Sequence, residues 1–400
     1  MKKLLLLGGS RYLLPVIREA HDLGLYVITC DYLPDNDAHP YADEYRNVSI
    51  IDKEAVLALA RELKIDGVMS FACDPGVTTA AYVAEQLGLP SVGSFEAVSI
   101  LQDKARFRRF LTEHGFTVPR AKGYTCPEDA LADAGRFAYP VIVKPVDSAG
   151  SKGVTRVDGP EALPGALDLA FRVSLGGRVI VEDFIRQKGF SSDTDCFSVD
   201  GQLRFVSYSC QHFDPKADNP YAPSGYSWPS TMSASAQAEL TAELQRLITL
   251  LGLGTSVFNV ETREGTDGRA YIMECSPRGG GNRLSEVLEL ATGARLVRNS
   301  VLAAIGAPVE PLPPADYQGA WAELILHSDR DGRFAGLDIR EDVRPFVREE
   351  DLWVRPGDRV EQFSGANKAI GTLVLRFDHE EQLQAYMASP DDWVRVVVQE

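Results

Sequence analysis

The chain has little cysteine and arranges none of it for metal or disulfide chemistry. Its six cysteines (Cys30, Cys73, Cys126, Cys196, Cys210, Cys275) are scattered, with no CxxC pair and no ligand-like spacing to histidine. A zinc site or a disulfide framework is therefore not expected, and the thiols read as those of a reduced, cytoplasmic protein. Long hydrophobic runs are also missing. The opening MKKLLLLGGSR imitates a signal peptide, but its apolar run ends at Gly8-Gly9, too short for an h-region. No later stretch approaches membrane-spanning length. Positive charge is scarce: 41 Lys and Arg against 57 Asp and Glu leave a formal net charge of −16, spread along the chain. This balance argues against nucleic acid or an anionic membrane as the main partner. An acidic protein that handles phosphates must gather its few useful cations, or recruit metal ions, at one site. Neither GxxxxGK[ST] nor GxGxxG occurs, so a P-loop and a standard dinucleotide fingerprint are both absent.

What remains is an ordinary globular composition, 44% apolar and 24% charged. Its 400 residues exceed one compact core and predict two or three domains. Over the first ~95 residues strand and helix signals alternate. Strands are expected at Leu4 to Leu7, Leu25 to Cys30 and Gly67 to Phe71, and helices at Leu57 to Leu63 and Thr78 to Leu87, with Gly24 and Gly88 as helix stops. That is a parallel, Rossmann-like α/β unit. Asp31, ending the second strand, is where a dinucleotide ribose could bind, but without GxGxxG a nicotinamide site is disfavoured. A single helix is expected from Ser99 to His114, carrying Lys104, Arg106, Arg108 and Arg109; a solvated basic face is the bland reading.

The chain is organised around Tyr139 to Val154, YPVIVKPVDSAGSKGV. Val141 to Val143 is a β-branched run that argues for a strand. Lys144 ends it, an odd place for a charge unless it meets an anion in a cleft. The small residues from Asp147 to Gly153 follow, and Gly150 and Gly153 can take conformations closed to other residues. Such a loop exposes successive N–H groups and can close over a polyphosphate. Further on, Arg178 to Val181 is an apolar strand leading into Glu182-Asp183-Phe184-Ile185, and Asp200-Gly201 marks a hairpin turn. Gln211 to Thr231 is rich in Pro, Tyr and Gly and lacks periodicity, so a long loop covering the substrate is expected.

A second hairpin is the most informative. If Asp267-Gly268 is a two-residue turn, Thr266 faces Arg269, and counting back places Glu261 directly opposite Glu274. Opposed residues have Cβ atoms roughly 5 Å apart. Two such carboxylates repel unless a proton or a cation sits between them. Hard divalent metals take such oxygen ligands, and Mg²⁺ commonly combines one or two protein carboxylates with substrate phosphates. The apolar neighbours Val257, Phe258, Val260, Ile272 and Met273 argue against a merely exposed hairpin. Directly after comes Cys-Ser-Pro-Arg-Gly-Gly-Gly, whose Arg278 can grip a carboxylate or phosphoryl group in bidentate fashion.

Taken together, the Rossmann-like front, Lys104, Lys144 before a glycine loop, VEDFI and the hairpin ending ECSPRGGG resemble the ATP-grasp ligases over roughly residues 1 to 310. The resemblance implies an α/β and α+β chain: a Rossmann-like N-terminal domain (1–100), a linking helix and small ATP-grasp lobe (101–185), a large lobe (186–310) and a small C-terminal α+β domain (311–400). It implies that Lys104 and Lys144 contact the phosphates of ATP, with Ser148, Gly150, Ser151 and Gly153 closing over them. Glu182, Asp183, Phe184 and Ile185 would hold adenine, Glu182 taking its exocyclic amine. Glu261 and Glu274 match the Mg²⁺ carboxylates, with Mn²⁺ as a substitute ion, and Arg278 matches the catalytic arginine. Two departures stand out. Ser276 occupies the place of the family's metal-binding Asn, and Lys188-Gly189-Phe190 that of its ribose acid, for which Asp193 is a substitute. His212, Gly280 and Arg283 are candidates for contacting substrate.

The activity so implied joins a small-molecule carboxylate to an amine, with ADP and phosphate released, in a chain with no nucleic-acid or membrane partner. Family habit points to a homodimer. The competing readings are a carboxylase that activates bicarbonate, a nucleotide-binding protein without turnover, and a nicotinamide dehydrogenase.

Overall fold

The computed structural model describes residues 1–148 and 150–399. The chain opens with β1 (Lys3–Leu7), α1 (Leu14–Asp22), β2 (Tyr26–Cys30), β3 (Glu44–Arg46), α2 (Lys53–Leu63), β4 (Gly67–Met69) and α3 (Asp74–Leu87). The four strands form a parallel sheet in the order β3-β2-β1-β4. Leu4 to Leu7 are fully buried, as expected of a strand covered by helices on both faces. The front domain is thus the Rossmann-like unit read from the sequence.

The single expected linking helix is two helices, α4 (Phe95–Gln102) and α5 (Lys104–Glu113). Asp103 breaks them: it takes an extended conformation, and its carboxylate accepts the Ala105 and Arg106 N–H groups, each at 3.0 Å. Lys104 consequently begins a helix instead of sitting mid-face. The small lobe follows as β5 (Ala121–Tyr124), α6 (Pro127–Ala132), β6 (Val141–Pro145), β7 (Thr155–Val157), α7 (Leu163–Val173) and β8 (Val179–Asp183). Its antiparallel sheet has the order β5-β8-β6-β7.

Next come β9 (Ser192–Val199), β10 (Gln202–Phe205), β11 (Cys210–Phe213), β12 (Pro223–Trp228), α8 (Ala234–Leu250), β13 (Ser256–Glu264), β14 (Ala270–Ser276), α9 (Leu284–Thr292) and α10 (Leu296–Ala304). The large-lobe sheet has the order β10-β9-β13-β14. Leu240, Leu244 and Leu247 of α8 pack on one of its faces against Phe258, Val260 and Ile272. The other face carries Asp193, Asp195, Asn259, Glu261 and Glu274, with Phe197 and Val257 in a second core beside them.

The chain ends with β15 (Ala320–Leu326), β16 (Gly332–Ile339), β17 (Val347–Leu352), β18 (Arg359–Val360), β19 (Gly371–Phe377), α11 (Glu380–Met387) and β20 (Val394–Gln399). One sheet, β11-β12-β15-β19-β17, joins residues 210–228 to residues 320–377. This corrects the reading of Gln211 to Thr231 as one long loop: residues 211–213 and 223–228 belong to two paired strands, and residues 214–222 between them form a connecting segment. Pro223 and Gly225 hid the alternation. Gly225 is required by close approach, since a Cβ there would lie 2.7 Å from the Glu323 carbonyl oxygen. The expected boundary at residue 310 therefore runs through a shared sheet. Among the described residues no helix is long and apolar enough to cross a membrane.

Candidate active site

The large-lobe hairpin sets the site. Glu261 and Glu274 are directly paired, as the residue count requires, but through a different register than a two-residue turn would give. Near the turn Glu264 pairs with Ala270 and Thr262 with Ile272; an irregularity then skips Met273 and restores Glu261 opposite Glu274. Across the other edge of β13, Glu261 pairs with Asp193, and Asn259 with Asp195. Opposed residues point to the same face, so two rows run across three strands: Asp193–Glu261–Glu274, and beside it Asp195–Asn259–Ser276.

The first row concentrates negative charge. Burial pushes the Asp193 carboxyl up to about 7, with Glu261 adding to the effect. Asp193, expected as a ribose contact, instead stands in one row with Glu261 and Glu274. Its oxygens are engaged by Asn259 Nδ2 at 2.8 Å and the Tyr226 hydroxyl at 3.3 Å. The second row braces a loop. Asp195 accepts the Gly280 N–H at 2.8 Å and the Ser285 hydroxyl at 2.5 Å. The Gly280 N–H is thereby committed and does not face a substrate. A Cβ at Gly280 would meet Leu284 at 2.5 Å, so this residue serves close packing.

Two lysines enter from the small lobe, as expected. Lys104 Nζ donates to the Ser148 carbonyl at 3.0 Å and lies 3.2 Å from Glu274 Oε1. Burial works against its charge, but Glu274 outweighs it, with Asp74 and Glu261 also contributing, and the ammonium is held above its usual range. Lys144, 7% exposed at the end of β6, is 2.6 Å from Glu182 Oε1. It also helps hold Glu274 ionised, after Lys104. Both lysines thus face one cleft. In the glycine loop Gly150, Ser151 and Gly153 have φ of 67°, 57° and 72°, left-handed backbone that favours glycine, which fills two of the three positions. The Ser151 hydroxyl donates to the Tyr221 carbonyl at 2.9 Å, and Ser148 donates to Lys152 O at 3.0 Å. Ala149 of this loop lies outside the described residues.

Glu182 differs from its expected role. It is 2% exposed, and its second oxygen accepts Arg108 Nε at 2.9 Å, so both oxygens are held by cations. Burial opposes its ionisation, but Arg108 and Lys144 prevail and bring the carboxyl down to about 2. Arg108 is no solvated helix residue: it is 3% exposed and also donates to the Met273 carbonyl at 2.8 Å. Periodicity along α5 is the signal that could have found it, because Phe107, Arg108 and Leu111 form the buried stripe. Of the adenine segment, Asp183 pairs with Arg120 at 2.8 Å, the Phe184 ring lies 4.6 Å under Arg156, and Ile185 is half-buried beside them. The N–H groups of Asp183 and Phe184 are bonded to Arg120 O and Pro140 O.

Arg278 is gripped by a residue that sequence reasoning missed. Asp74, the first residue of α3, takes Arg278 Nε at 2.9 Å and Nη2 at 2.7 Å. A tight β4–α3 turn aims it: Ala72 has φ 52°, its N–H donates to Gly279 O, and a Cβ on Gly76 would lie 2.7 Å from Ser70 Oγ. Arg278 and the Ser276 hydroxyl both hold the Asp74 carboxyl below its usual range against the opposing effect of burial. Ser276 is spent there, donating to Asp74 Oδ1 at 2.8 Å and accepting Gln102 Nε2 at 2.7 Å. It is therefore not presented as a metal ligand. His212, in β11, lies with its ring centroid 4.8 Å from that of Phe190 at a tilt of 51° and reaches Ser227 Oγ at 2.9 Å; burial lowers it to about 4. Arg283 pairs with Glu349 at 2.5 Å and Glu286 at 3.4 Å.

The donors fit a hard divalent ion that brings ligands of its own. Among the described residues no group of three or more His, Cys, Asp or Glu could hold a metal unaided. Two facing glutamates with two lysines beside them suit Mg²⁺ carried in by phosphate oxygens.

Models of the ATP-grasp domain and of the ATP-grasp N-terminal domain match residues 137–286 and 17–91. The chain belongs to the ATP-grasp superfamily. It is an ATP-dependent, ADP-forming enzyme of that group. A formate-dependent phosphoribosylglycinamide formyltransferase of Parasynechococcus marenigrum is 27% identical over 407 aligned positions, covering 99% of this chain and 98% of that protein. The L-amino acid ligase from Bacillus licheniformis has a similar fold, with TM-score 0.81 and 22% identity over 100% of this chain and 99% of its own. A similar fold also occurs in the biotin carboxylase domain of a Hydrogenobacter thermophilus 2-oxoglutarate carboxylase, solved with MgADP and bicarbonate. There the TM-score is 0.72 with 15% identity, over 100% of this chain and 91% of that one.

Proposed function

We propose that this ATP-grasp enzyme activates a small-molecule carboxylate as an acyl phosphate and joins it to an amine. The observation that carries the reading is the facing pair Glu261–Glu274 with Lys104 bridging from Glu274 to the glycine loop. A carboxylate is a poor electrophile, because it is already charged and its oxygen leaves badly. Attack of the carboxylate oxygen on the γ-phosphorus of ATP expels ADP and gives an acyl phosphate; the amine then attacks its carbonyl carbon and displaces phosphate.

Lys104 and Lys144 offset charge on the phosphates, while Glu261 and Glu274 would hold Mg²⁺, which supplies further charge neutralisation to the transferring group. Glu182 orients Lys144 and Arg108, leaving adenine to backbone acceptors of residues 183–185. Arg278, held in place by Asp74 through Nε and Nη2, binds the acid's carboxylate with its remaining N–H donors. The glycine loop, latched to Tyr221, keeps water from the acyl phosphate. The amino-acid ligase fold neighbour supports amino acids as substrates. A steady-state assay with ATP, Mg²⁺ and amino-acid pools tests the reading: ADP and phosphate are expected, and AMP with pyrophosphate would reject it.

A second reading is activation of bicarbonate, favoured by the fold neighbour that holds bicarbonate. Bicarbonate-dependent ADP release, without any amino-acid requirement, would select it.

A further inference from the structure

One cation of the cleft has more donors than partners. Arg263 lies on β13 two residues beyond Glu261, and there the half-buried Asn259, Glu261 and Arg263 alternate with the buried Val260, Thr262 and Glu264. Alternation puts Arg263 on the face that carries the metal acids. Its guanidinium makes one hydrogen bond among the described residues: Nη2 donates to Glu261 Oε1 at 2.8 Å. Nε is buried and has no acceptor among the described residues. A guanidinium has several N–H donors in a fixed fork, and a buried donor left unmet is unfavourable and calls for an explanation. The side chain is 22% exposed, so the remaining donors are within reach of a ligand in the cleft.

The place of Arg263 along the cleft narrows that ligand. Residues 186–188, which follow the expected adenine segment, are zipped to the end of the same hairpin. The Lys188 N–H donates to Glu264 O at 2.7 Å, the Thr266 N–H donates to Arg186 O at 2.8 Å, and Gln187 bridges to Gly265. Arg263 stands between this junction and Glu261, about 7 Å from Glu261 along the strand. A nucleotide with its base at residues 183–185 and its terminal phosphates at Glu261 and Glu274 passes Arg263 with the inner part of its triphosphate.

The free protein also shows what occupies the metal acids before a nucleotide arrives. Each has a side-chain cation: Lys104 is 3.2 Å from Glu274 Oε1, and Arg263 is 2.8 Å from Glu261 Oε1. The two facing glutamates are thus offset without a metal, which removes the repulsion the pair would suffer alone. A divalent ion that takes both carboxylates displaces both cations, and each displaced cation then needs an anion.

We infer that Arg263 is a third phosphate-binding cation of the nucleotide site, beside Lys104 and Lys144, and that it exchanges Glu261 for the inner phosphates as Mg²⁺ takes Glu261. A guanidinium grips phosphoryl oxygens through paired N–H donors, which an ammonium does not reproduce. The phosphate also supplies the acceptors that Arg263 lacks. A bare metal ion brings none, so the exchange opposes metal binding in the absence of nucleotide. This role rests on the nucleotide cleft that both readings above share, not on the choice of acid.

The test reads binding by the full chain, without any acid and without turnover. Titration calorimetry gives Kd for ADP with Mg²⁺ and for adenosine, and electron paramagnetic resonance gives the affinity of the nucleotide-free protein for Mn²⁺. Arg263→Met, which keeps the apolar stem, is expected to raise Kd for MgADP about tenfold or more, the loss of a charge-assisted contact. Its Kd for adenosine should stay at the wild-type value, and its Mn²⁺ affinity without nucleotide should rise, because no guanidinium competes for Glu261. An unchanged Kd for MgADP overturns the role. So does an equal loss for MgADP and adenosine, which would make Arg263 a support for the base, or a weakened Mn²⁺ affinity, which would make it part of the metal site's frame. If Arg263→Met does not fold, Arg263→Lys decides: weaker MgADP binding with adenosine unchanged supports the guanidinium grip, and wild-type binding of MgADP overturns it.

Discussion

At the scale of single residues, the buried triad Lys144–Glu182–Arg108 is where charge is most tightly balanced. Removing one member leaves buried charge uncompensated, which typically costs 3–5 kcal/mol. Glu182→Gln is expected to lower unfolding free energy by about that amount in urea titration; a loss below about 1 kcal/mol would show that the cations find other partners. The same carboxyl makes stability acid-sensitive. Its folded value is about 2, below the ordinary 4.5 of a glutamate, so the unfolded chain takes up its proton first as pH falls. Its contribution is present above 4.5 and fades from there toward 2. His212 acts in a higher window. Burial lowers it to about 4 from 6.5, so the unfolded state gains the proton first and stability declines as pH falls from 6.5 to 4. Melting temperatures of His212→Gln across that window should fall less steeply than those of wild type. Of these residues the lysines were legible as cations at odd places. Arg108 was legible only as a neighbour of the apolar stripe Phe107 and Leu111; its partner Glu182, 74 positions away in sequence, left no local signal.

At the scale of elements, local rules read the parallel front sheet, the Asp200-Gly201 hairpin turn and the pairing of Glu261 with Glu274. The pairing was reached through a simpler register than the real one: the wider turn shifts the ladder by one residue and the skip at Met273 shifts it back. Bulges leave no composition signal, so the count could not reveal either step. The Gln211 to Thr231 stretch was misread because the outer partner of β12, β15, lies about a hundred residues later, and strands defined by non-local pairing carry weak local signals. The β4–α3 turn likewise gave no hint that Asp74 grips Arg278. Two variants separate the elements' roles. Asp74→Asn is expected to raise KM for the carboxylate substrate by about tenfold or more, the worth of a charge-assisted bidentate contact, with KM for ATP unchanged. Ser276→Ala, whose hydroxyl already serves Asp74 and Gln102, should change the Mg²⁺ dependence of ADP release by less than about threefold, a loss below the usual value of one net hydrogen bond. A large shift in that dependence would restore Ser276 as a ligand.

At the scale of the whole molecule, the parts close on one another through the segment between β11 and β12. Asn219 donates to the Ser151 carbonyl of the glycine loop and to the Ser364 carbonyl beyond β18, each at 3.4 Å. Closure over the nucleotide is thereby tied to the C-terminal sheets. Asn219→Ala is expected to raise ADP formed per molecule of ligated product, because an unlatched loop admits water to the acyl phosphate; a ratio unchanged at one would leave the latch without a role in catalysis. The central claim concerns the acid: its own oxygen attacks ATP. With the substrate pool labelled with ¹⁸O in the carboxylate, mass spectrometry of the released phosphate should find one ¹⁸O per turnover. Phosphate free of label, released together with ADP and ligated product, would contradict the account.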